Sequence, residues 1–405
     1  MCLNGSGVVL AAAACGLVVT VAQAQRLDLL YVLQPDTVSV QDLTDAAVDW
    51  LILEPTVDGT QATAFTAAEI EQIKTQGPCP KKILAYLSVG EAESYRDYFD
   101  PNWLDVNGDP DPNTAPPWLG PTNPDWEGNY KVRYWMPDWQ HLIVGTDTGP
   151  HTSPYDAIID QGFDGVYLDI IDAFEFWSSP AGGNERTRSQ ARTEMINFVK
   201  EIARHAQVVR GRPMFMVFPQ GGVAIIRDDN ENLDQESNDY FAAIDGVGRE
   251  DVWYDELHHQ NAGETAYTLD QLREYQSRGK TVLVTDYVIR AGNQSAGANN
   301  TRAADFISHA VGEGFVPYAA LNNRELNAIV TFGGSGWTYA QPDPGCPGGG
   351  CEADLTGDGV LDFFDVSAFL AAFSNQEALA DWNADGVWDF FDVAAYLDAF
   401  ATGCG

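Results

Sequence analysis

The chain has 405 residues, 45% of them hydrophobic, which is enough for one large domain and a small second one. Its net charge is −37 and its pI about 4.1. Such a field repels nucleic acid and anionic membrane surfaces and attracts cations and cationic polymers, and beyond the N-terminus no apolar run reaches the roughly 18 residues of a membrane helix.

The first segment reads as an export leader. Apolar residues from Val8 to Val21 precede Ala22-Gln23-Ala24, a small-x-small site that places cleavage after Ala24 and the mature protein outside the cell or on its surface. The leader departs from the usual pattern in carrying no Lys or Arg. Cys79, Cys346, Cys351 and Cys404 remain after cleavage. So few cysteines imply one or two local bridges, and both Cys351–Cys404 and Cys346–Cys351 stay open.

Eight apolar, β-branched and aromatic runs follow: 27–33, 48–53, 83–89, 165–171, 214–218, 243–247, 281–287 and 315–321. They are nearly continuous, as strands buried on both faces are. Amphipathic helix patterns lie between several of them, at 67–74, 185–206, 269–279 and 301–312. Eight strands alternating with helices predict an α/β fold, a (β/α)8 TIM barrel over residues 25–332. The stretch from Glu91 to Pro154 is too long for a connection and reads as a structured insertion over one mouth. Its Trp126, Tyr134, Trp135 and Trp139 are candidates for a sugar-stacking platform.

Active sites of such barrels gather at the C-terminal ends of the strands. Those ends carry Glu54, Glu91, Asp169 with Asp172 just behind, Gln220, Glu250, Asp286 and Asn322. Buried carboxylates in this number are costly unless they serve a reaction or a polar ligand. The six His are scattered, with no set at metal-ligand spacing, so no metal or cofactor is expected in the barrel. No nucleophile elbow, phosphate loop or dinucleotide glycine pattern occurs, and Ser88 has no His partner in any motif. Two carboxylates among many aromatics suit glycosidic hydrolysis: an acid protonates the leaving oxygen, and a carboxylate attacks or activates water. A barrel that binds carbohydrate without cleaving it is the competing reading, and a calcium-dependent adhesion protein is a third.

Three segments carry a specific resemblance. They are Tyr86-Leu87-Ser88-Val89-Gly90-Glu91-Ala92-Glu93-Ser94-Tyr95-Arg96, Asn129-Tyr130-Lys131-Val132-Arg133-Tyr134-Trp135 and Gly162-Phe163-Asp164-Gly165-Val166-Tyr167-Leu168-Asp169-Ile170-Ile171-Asp172, and Gly246-Val247-Gly248-Arg249-Glu250 also agrees. Through them residues 27–330 resemble glycoside hydrolase family 114. The resemblance implies a (β/α)8 barrel, an endo-α-1,4-polygalactosaminidase-like activity and a partly deacetylated, cationic galactosaminoglycan substrate. It places the catalytic pair at Asp169, as nucleophile or stabiliser, and Glu250, as general acid/base. Tyr86, Glu54, Glu91, Asp172, Gln220, Asp286 and Asn322 are the expected substrate contacts. Arg96 and Arg133 are expected to pair with mouth carboxylates, Asp172 among them. Retention and inversion both remain open.

Residues 333–350, rich in Gly and Pro, read as a linker. No Lys or Arg follows Arg324, whereas 13 Asp and Glu do. Within 351–405 two segments repeat at an offset of 27. Asp354, Thr356, Asp358, Asp362 and Asp365 fall at loop positions 1, 3, 5, 9 and 12, and Asp381, Asn383, Asp385, Asp389 and Asp392 do the same. Gly359 and Gly386 occupy position 6, and the carbonyls of Val360 and Val387 fall at position 7. That spacing wraps six or more oxygens around one Ca2+. Each loop runs into an apolar helix, 366–373 or 393–400. The module resembles a type I dockerin, which implies calcium and a cohesin or cell-surface partner. It departs from the family at Thr356 and in Phe363-Phe364 and Phe390-Phe391, and it lacks the usual basic residues on the following helix.

Overall fold

A computed structural model describes residues 29–330 except 47, 78–79, 147–152 and 294–296. Of the C-terminal region it describes 353, 355–356, 361, 363–375, 378–380, 382 and 387–402. The expected leader and linker, all four mature cysteines, and Asp354, Asp358, Val360, Asp362, Asp381, Asn383 and Asp385 lie outside the described residues.

Eight parallel strands form a TIM-barrel-like α/β fold. They are β1 (Leu29–Val32), β2 (Trp50–Leu53), β3 (Lys82–Ser88), β4 (Gly165–Asp169), β5 (Met216–Pro219), β6 (Gly246–Glu250), β7 (Thr281–Ile289) and β8 (Val316–Leu321). Strands β1 to β5 pair in sequence, as do β6 to β8. A bridge between Gln220 and Gly248 joins the two sets, where the Gly221 N–H donates to Gly248 O at 3.0 Å. At the other seam β8 lies beside β1, and the Leu33 N–H donates to Leu326 O at 2.9 Å.

Each of strands β1 to β7 leads into a helix that precedes the next strand: α1 (Val40–Asp45), α2 (Ala67–Thr75), α3 (Pro154–Gln161), α4 (Arg188–Arg204), α5 (Gln235–Ala243), α6 (Ala262–Ser277) and α7 (Gly297–Glu313); further helices at Pro137–Val144 and Ala173–Trp177 lie in the connections before α3 and α4. Their starts are chemically marked. Ser39, Thr66, Thr187 and Asp234 each accept from the N–H three residues on, and that residue's side chain returns the bond. The sixth strand begins three residues later than its apolar run predicts. Asp234 caps a helix that continues through Ala243, so the start of that run is helical.

Inside the barrel Tyr31 packs edge-on against Tyr167, and Trp50 lies against Phe218. Two glycines of β6 make room for them. A Cβ on Gly246 would stand 2.0 Å from Phe218 Cε1, and one on Gly248 1.9 Å from Tyr167 Oη. The glycines that weaken β6 as a strand pattern are therefore what lets large rings fill the barrel beneath the mouth.

The insertion is structured, as expected. Glu91–Glu93, Asn129–Val132 and Leu119–Thr122 form an antiparallel sheet with Asn129–Val132 in the centre. Its aromatics mostly pack on one another: Trp118 contacts both Trp103 and Trp139, and Phe99 contacts Tyr130. Trp139 and Tyr134 are completely buried and so are core and not a sugar platform, while Trp135 is half-buried under Arg186. Trp126 alone of the four is exposed.

In the C-terminal region α8 (Phe363–Asn375) and α9 (Phe390–Thr402) share a small apolar core in which Phe369 stacks on Tyr396 at 4.1 Å. Asp365 and Asp392, at position 12 of each repeat, are fully buried. Asp365 accepts from the N–H and hydroxyl of Thr356, both at 2.9 Å, and Asp392 accepts from the Asp389 N–H at 2.9 Å.

Candidate active site

Asp169 is the last residue of β4 and Glu250 the last of β6. Alternation along the strands turns both inward, above Tyr167 and Gly248. The register sets Asp169 beside Ser88 of β3 and Glu250 beside Thr285 of β7. Two residues before Ser88, Tyr86 reaches across and donates its hydroxyl to Asp169 Oδ2 at 2.7 Å; the Ile170 N–H donates to Oδ1 at 2.8 Å. Two residues past Thr285, Tyr287 donates its hydroxyl to Glu250 Oε1 at 3.0 Å.

Burial pushes the Asp169 carboxyl up to about 8; the charges of Glu250 and Asp172 add to this, and the Tyr86 and Ile170 bonds oppose it. Burial likewise pushes Glu250 up to about 7, with the Asp251 charge adding and Tyr287, Arg324 and Arg249 opposing. The two carboxylates thus lie in each other's field and hold protons near neutrality, unlike ordinary acids.

The backbone is unusual immediately after each of them. Ile170 has φ 63° and Asp251 φ 55°. A β-branched residue in the left-handed region is a genuine outlier, and such strain persists only where the surroundings over-determine it. Gly90 is one such determinant, since a Cβ there would meet Ile170 O at 2.2 Å.

The remaining expected contacts divide into two groups. Asp172 stays accessible to solvent although protein crowds it, as a group in the wall of a cleft does. Burial raises its carboxyl, against the charges of Lys131 and Arg249. Gln220 pairs in register with Gly248 and so enters the mouth beside Asp169. Tyr86 is the Asp169 donor already described. The other four are bonded within the protein, the three carboxylates through both oxygens or several donors and Asn322 through its carbonyl oxygen alone. Glu54 takes Arg96 Nη1 at 2.6 Å and Nη2 at 2.8 Å, and the Thr56 hydroxyl. Glu91 is held by Asn123, Asn129 and Lys131 of the insertion. Asp286 accepts the backbone N–H groups of Val252, Trp253 and Tyr254 at 2.8–2.9 Å. Asn322 accepts the Ala291 N–H. Arg96 pairs with Glu54 and Glu93 at the mouth, as expected, but Arg133 pairs with Glu185 at 2.7 Å and not with Asp172.

Sequence reasoning missed Tyr287, Asp251, Arg249 and Arg324. Alternation from Thr285 would have found Tyr287; nothing in the sequence marks Arg324, which lies in the turn after β8. Arg249 Nε is buried without a hydrogen-bond partner among the described residues, beside Asp172 and Glu250. Among the described residues no cluster of three or more His, Cys, Asp or Glu is placed to hold a metal ion.

Residues 36–337 match the model of glycoside-hydrolase family GH114. The chain belongs to that family. It is 32% identical over 309 residues to an uncharacterized protein of Methanocaldococcus jannaschii, covering 76% of this chain and 80% of the relative. It is 30% identical over 293 residues to an uncharacterized protein of Thermotoga maritima, covering 72% and 80%. Among solved structures it is similar to the PgaB (BpsB) glycoside hydrolase domain from Bordetella bronchiseptica. That likeness is 12% identical, with a TM-score of 0.43, over 75% of this chain and 95% of that one. The GH114 match begins just after β1, runs past β8 and includes both strand-end carboxylates, so Asp169 and Glu250 lie within a glycosidase domain.

Proposed function

We propose that this GH114 member is a secreted, endo-acting hydrolase of an amino-sugar polysaccharide of the galactosaminoglycan kind, with Asp169 and Glu250 as its catalytic pair. The observation that carries the reading is the pair itself: two inward carboxylates, each raised toward neutrality and each bonded by a tyrosine hydroxyl. A glycosidase needs one carboxyl that keeps its proton and one that gives up its own.

Asp169 receives two hydrogen bonds and Glu250 one, and donors favour the anion. In the free enzyme burial weighs more on Asp169. A sugar ring gaining positive charge beside it returns it to the carboxylate form. The Asp169 proton leaves to solvent; Glu250 in its protonated form gives its own proton to the leaving oxygen, and the Asp169 carboxylate attacks or stabilises the anomeric carbon. Asp172, Gln220 and Arg249 line the same mouth and are assigned to the hydroxyl and amine groups of neighbouring residues.

The C-terminal module is read as a calcium-binding, dockerin-like anchor for a cohesin or cell-surface partner. The two buried position-12 carboxylates support it, because a buried anion calls for a cation or several donors. By their spacing in the sequence, the oxygens of the repeats at 354–365 and 381–392 would complete with them an oxygen-only set of the kind Ca2+ takes.

The test is to incubate residues 25–405 with de-N-acetylated polygalactosamine and count new reducing ends. Asp169→Asn and Glu250→Gln are each expected to lower the rate by about 1,000-fold or more. Tight binding of the polymer by the folded wild-type protein with no cleavage would establish a carbohydrate-binding barrel instead.

A further inference from the structure

Glu250 is surrounded by more than its tyrosine. Asp251 follows it directly, with φ 55°, and Arg324 occupies the turn after β8, with φ 58°. Arg324 Nη2 donates to both oxygens of Asp251, at 2.9 and 2.8 Å. The same guanidinium lies over the ring of Tyr287, its carbon 4.2 Å from the ring centroid. Tyr287 is 2% exposed and gives its hydroxyl to Glu250 at 3.0 Å. One arginine therefore touches the residue next to Glu250 and the residue bonded to Glu250.

The backbone on both sides is fixed for this contact. The Asp251 N–H donates to Thr285 O at 3.1 Å, and the Arg324 N–H to Leu321 O at 3.1 Å. Two non-glycine residues held in left-handed conformations represent stored strain, which a fold keeps where the resulting placement matters.

We propose that Asp251 and Arg324 form a positioning clamp, which seats Tyr287 against Glu250 and sets the net charge beside that carboxyl. The proposal rests on Glu250 as the acid/base of the reaction. The clamp is a matched pair: Asp251 alone would drive Glu250 to hold its proton too tightly, and Arg324 alone would strip it.

The titratable groups facing Glu250 come from four strands, the residue after β6 and the turn after β8. Tyr287 comes from β7, Arg324 from the turn after β8, Asp169 and Tyr167 from β4, Tyr31 from β1, and Arg249 and Asp251 from its own strand and the residue after it. Of these, Arg324 and Arg249 are the cations, and Asp251 is the acid whose charge adds most to the effect of burial on Glu250. The signs follow. Arg324→Met uncovers Asp251 and frees the Tyr287 ring, and both changes favour protonated Glu250. Asp251→Asn leaves Arg324 uncompensated and favours the anion. An arrangement that merely held the loop together would not give opposite signs.

The Glu250 carboxyl can be titrated directly in the full chain by 13C NMR, with the signal assigned by its loss in Glu250→Gln. Relative to wild type, the midpoint is expected to rise by about one pH unit in Arg324→Met and to fall by about the same in Asp251→Asn. Arg324→Lys, which keeps the charge, is expected to stay near wild type. If Arg324→Met does not fold, Asp251→Asn and Arg324→Lys decide the matter by the same two expectations. Shifts of the same sign in Arg324→Met and Asp251→Asn, or none in Asp251→Asn, overturn the clamp. The titration reads the clamp whether or not a substrate is cleaved. Full hydrolysis by Glu250→Gln would sink the acid/base reading and leave the titration standing.

Discussion

Two carboxyls that burial holds near neutrality give a definite pH dependence. Below both values Asp169 and Glu250 are protonated and no anion is present; above both they are ionised and no acid remains. Activity is expected to peak between about 7 and about 8, with kcat/KM falling on either side. Tyr86→Phe removes a donor to the Asp169 anion, raises the higher of the two values further and should carry the alkaline limb to higher pH, which a pH–rate profile of the two proteins measures. An acid limb near 4 in the wild type would show that ordinary, solvated carboxylates run the reaction. The same shifts have a sign for stability. A carboxyl raised on folding weakens the fold as pH climbs from its unfolded value to its folded one, because the native state must give up a proton that it binds more tightly. Asp169→Asn removes that burden, so at pH 8 it is expected to melt a few degrees above wild type while being inactive. A lower melting temperature would show that the carboxylate stabilises the fold it sits in.

Among elements, β6 carries the sharpest constraint. Gly248→Ala would drive a methyl into the Tyr167 hydroxyl, and overpacking of this kind costs about 1–3 kcal/mol. Thermal denaturation should show the loss, with reduced activity because Glu250 stands two residues further along. Asp286→Asn is expected to cost about 2 kcal/mol, since an amide cannot accept three backbone N–H groups at once. An unchanged melting temperature would mean that the loop after Glu250 is held by other means. The elements also show what was legible in the sequence. Strands buried on both faces read as apolar runs, so the eight-strand order and the strand-end positions of Asp169 and Glu250 were visible. Strand β6 was misplaced because the apolar end of α5 imitates a strand and its own glycines do not. Four strand-end residues looked like substrate ligands for a different reason. Their partners come from far along the chain: Arg96 lies 42 residues from Glu54, Lys131 lies 40 from Glu91, the Val252 amide 34 from Asp286, and the Ala291 amide 31 from Asn322. Local pattern identifies a carboxylate at a mouth, but only the tertiary fold decides whether its oxygens are already taken. The insertion misled in the same way, as Tyr134 and Trp139 fill its core.

At the scale of the whole molecule, charge is the dominant property. The chain carries a net charge of −37, and the mouth adds the solvent-exposed Asp172, with Glu175 close enough to feel its charge, to Asp169 and Glu250. A field of one sign that converges on a cleft draws oppositely charged ligands in, and salt weakens it as the screening length falls from about 10 Å at 0.1 M to about 3 Å at 1 M. If the substrate is a cationic amino-sugar polymer, kcat/KM should drop about tenfold or more over that range of salt, mostly through KM. The same polymer after full N-acetylation carries no charge, so whatever cleavage it undergoes should hardly respond to salt. Comparing the two polymers in one salt series separates recognition of charge from recognition of shape, because the enzyme and its stability are common to both arms. Parallel salt curves would mean that the acidity serves solubility or the C-terminal module, and that the barrel reads hydroxyl geometry alone. A steep curve for the amine polymer beside a flat one for the acetylated polymer would tie the charge of the whole chain to the choice of substrate at the Asp169–Glu250 pair.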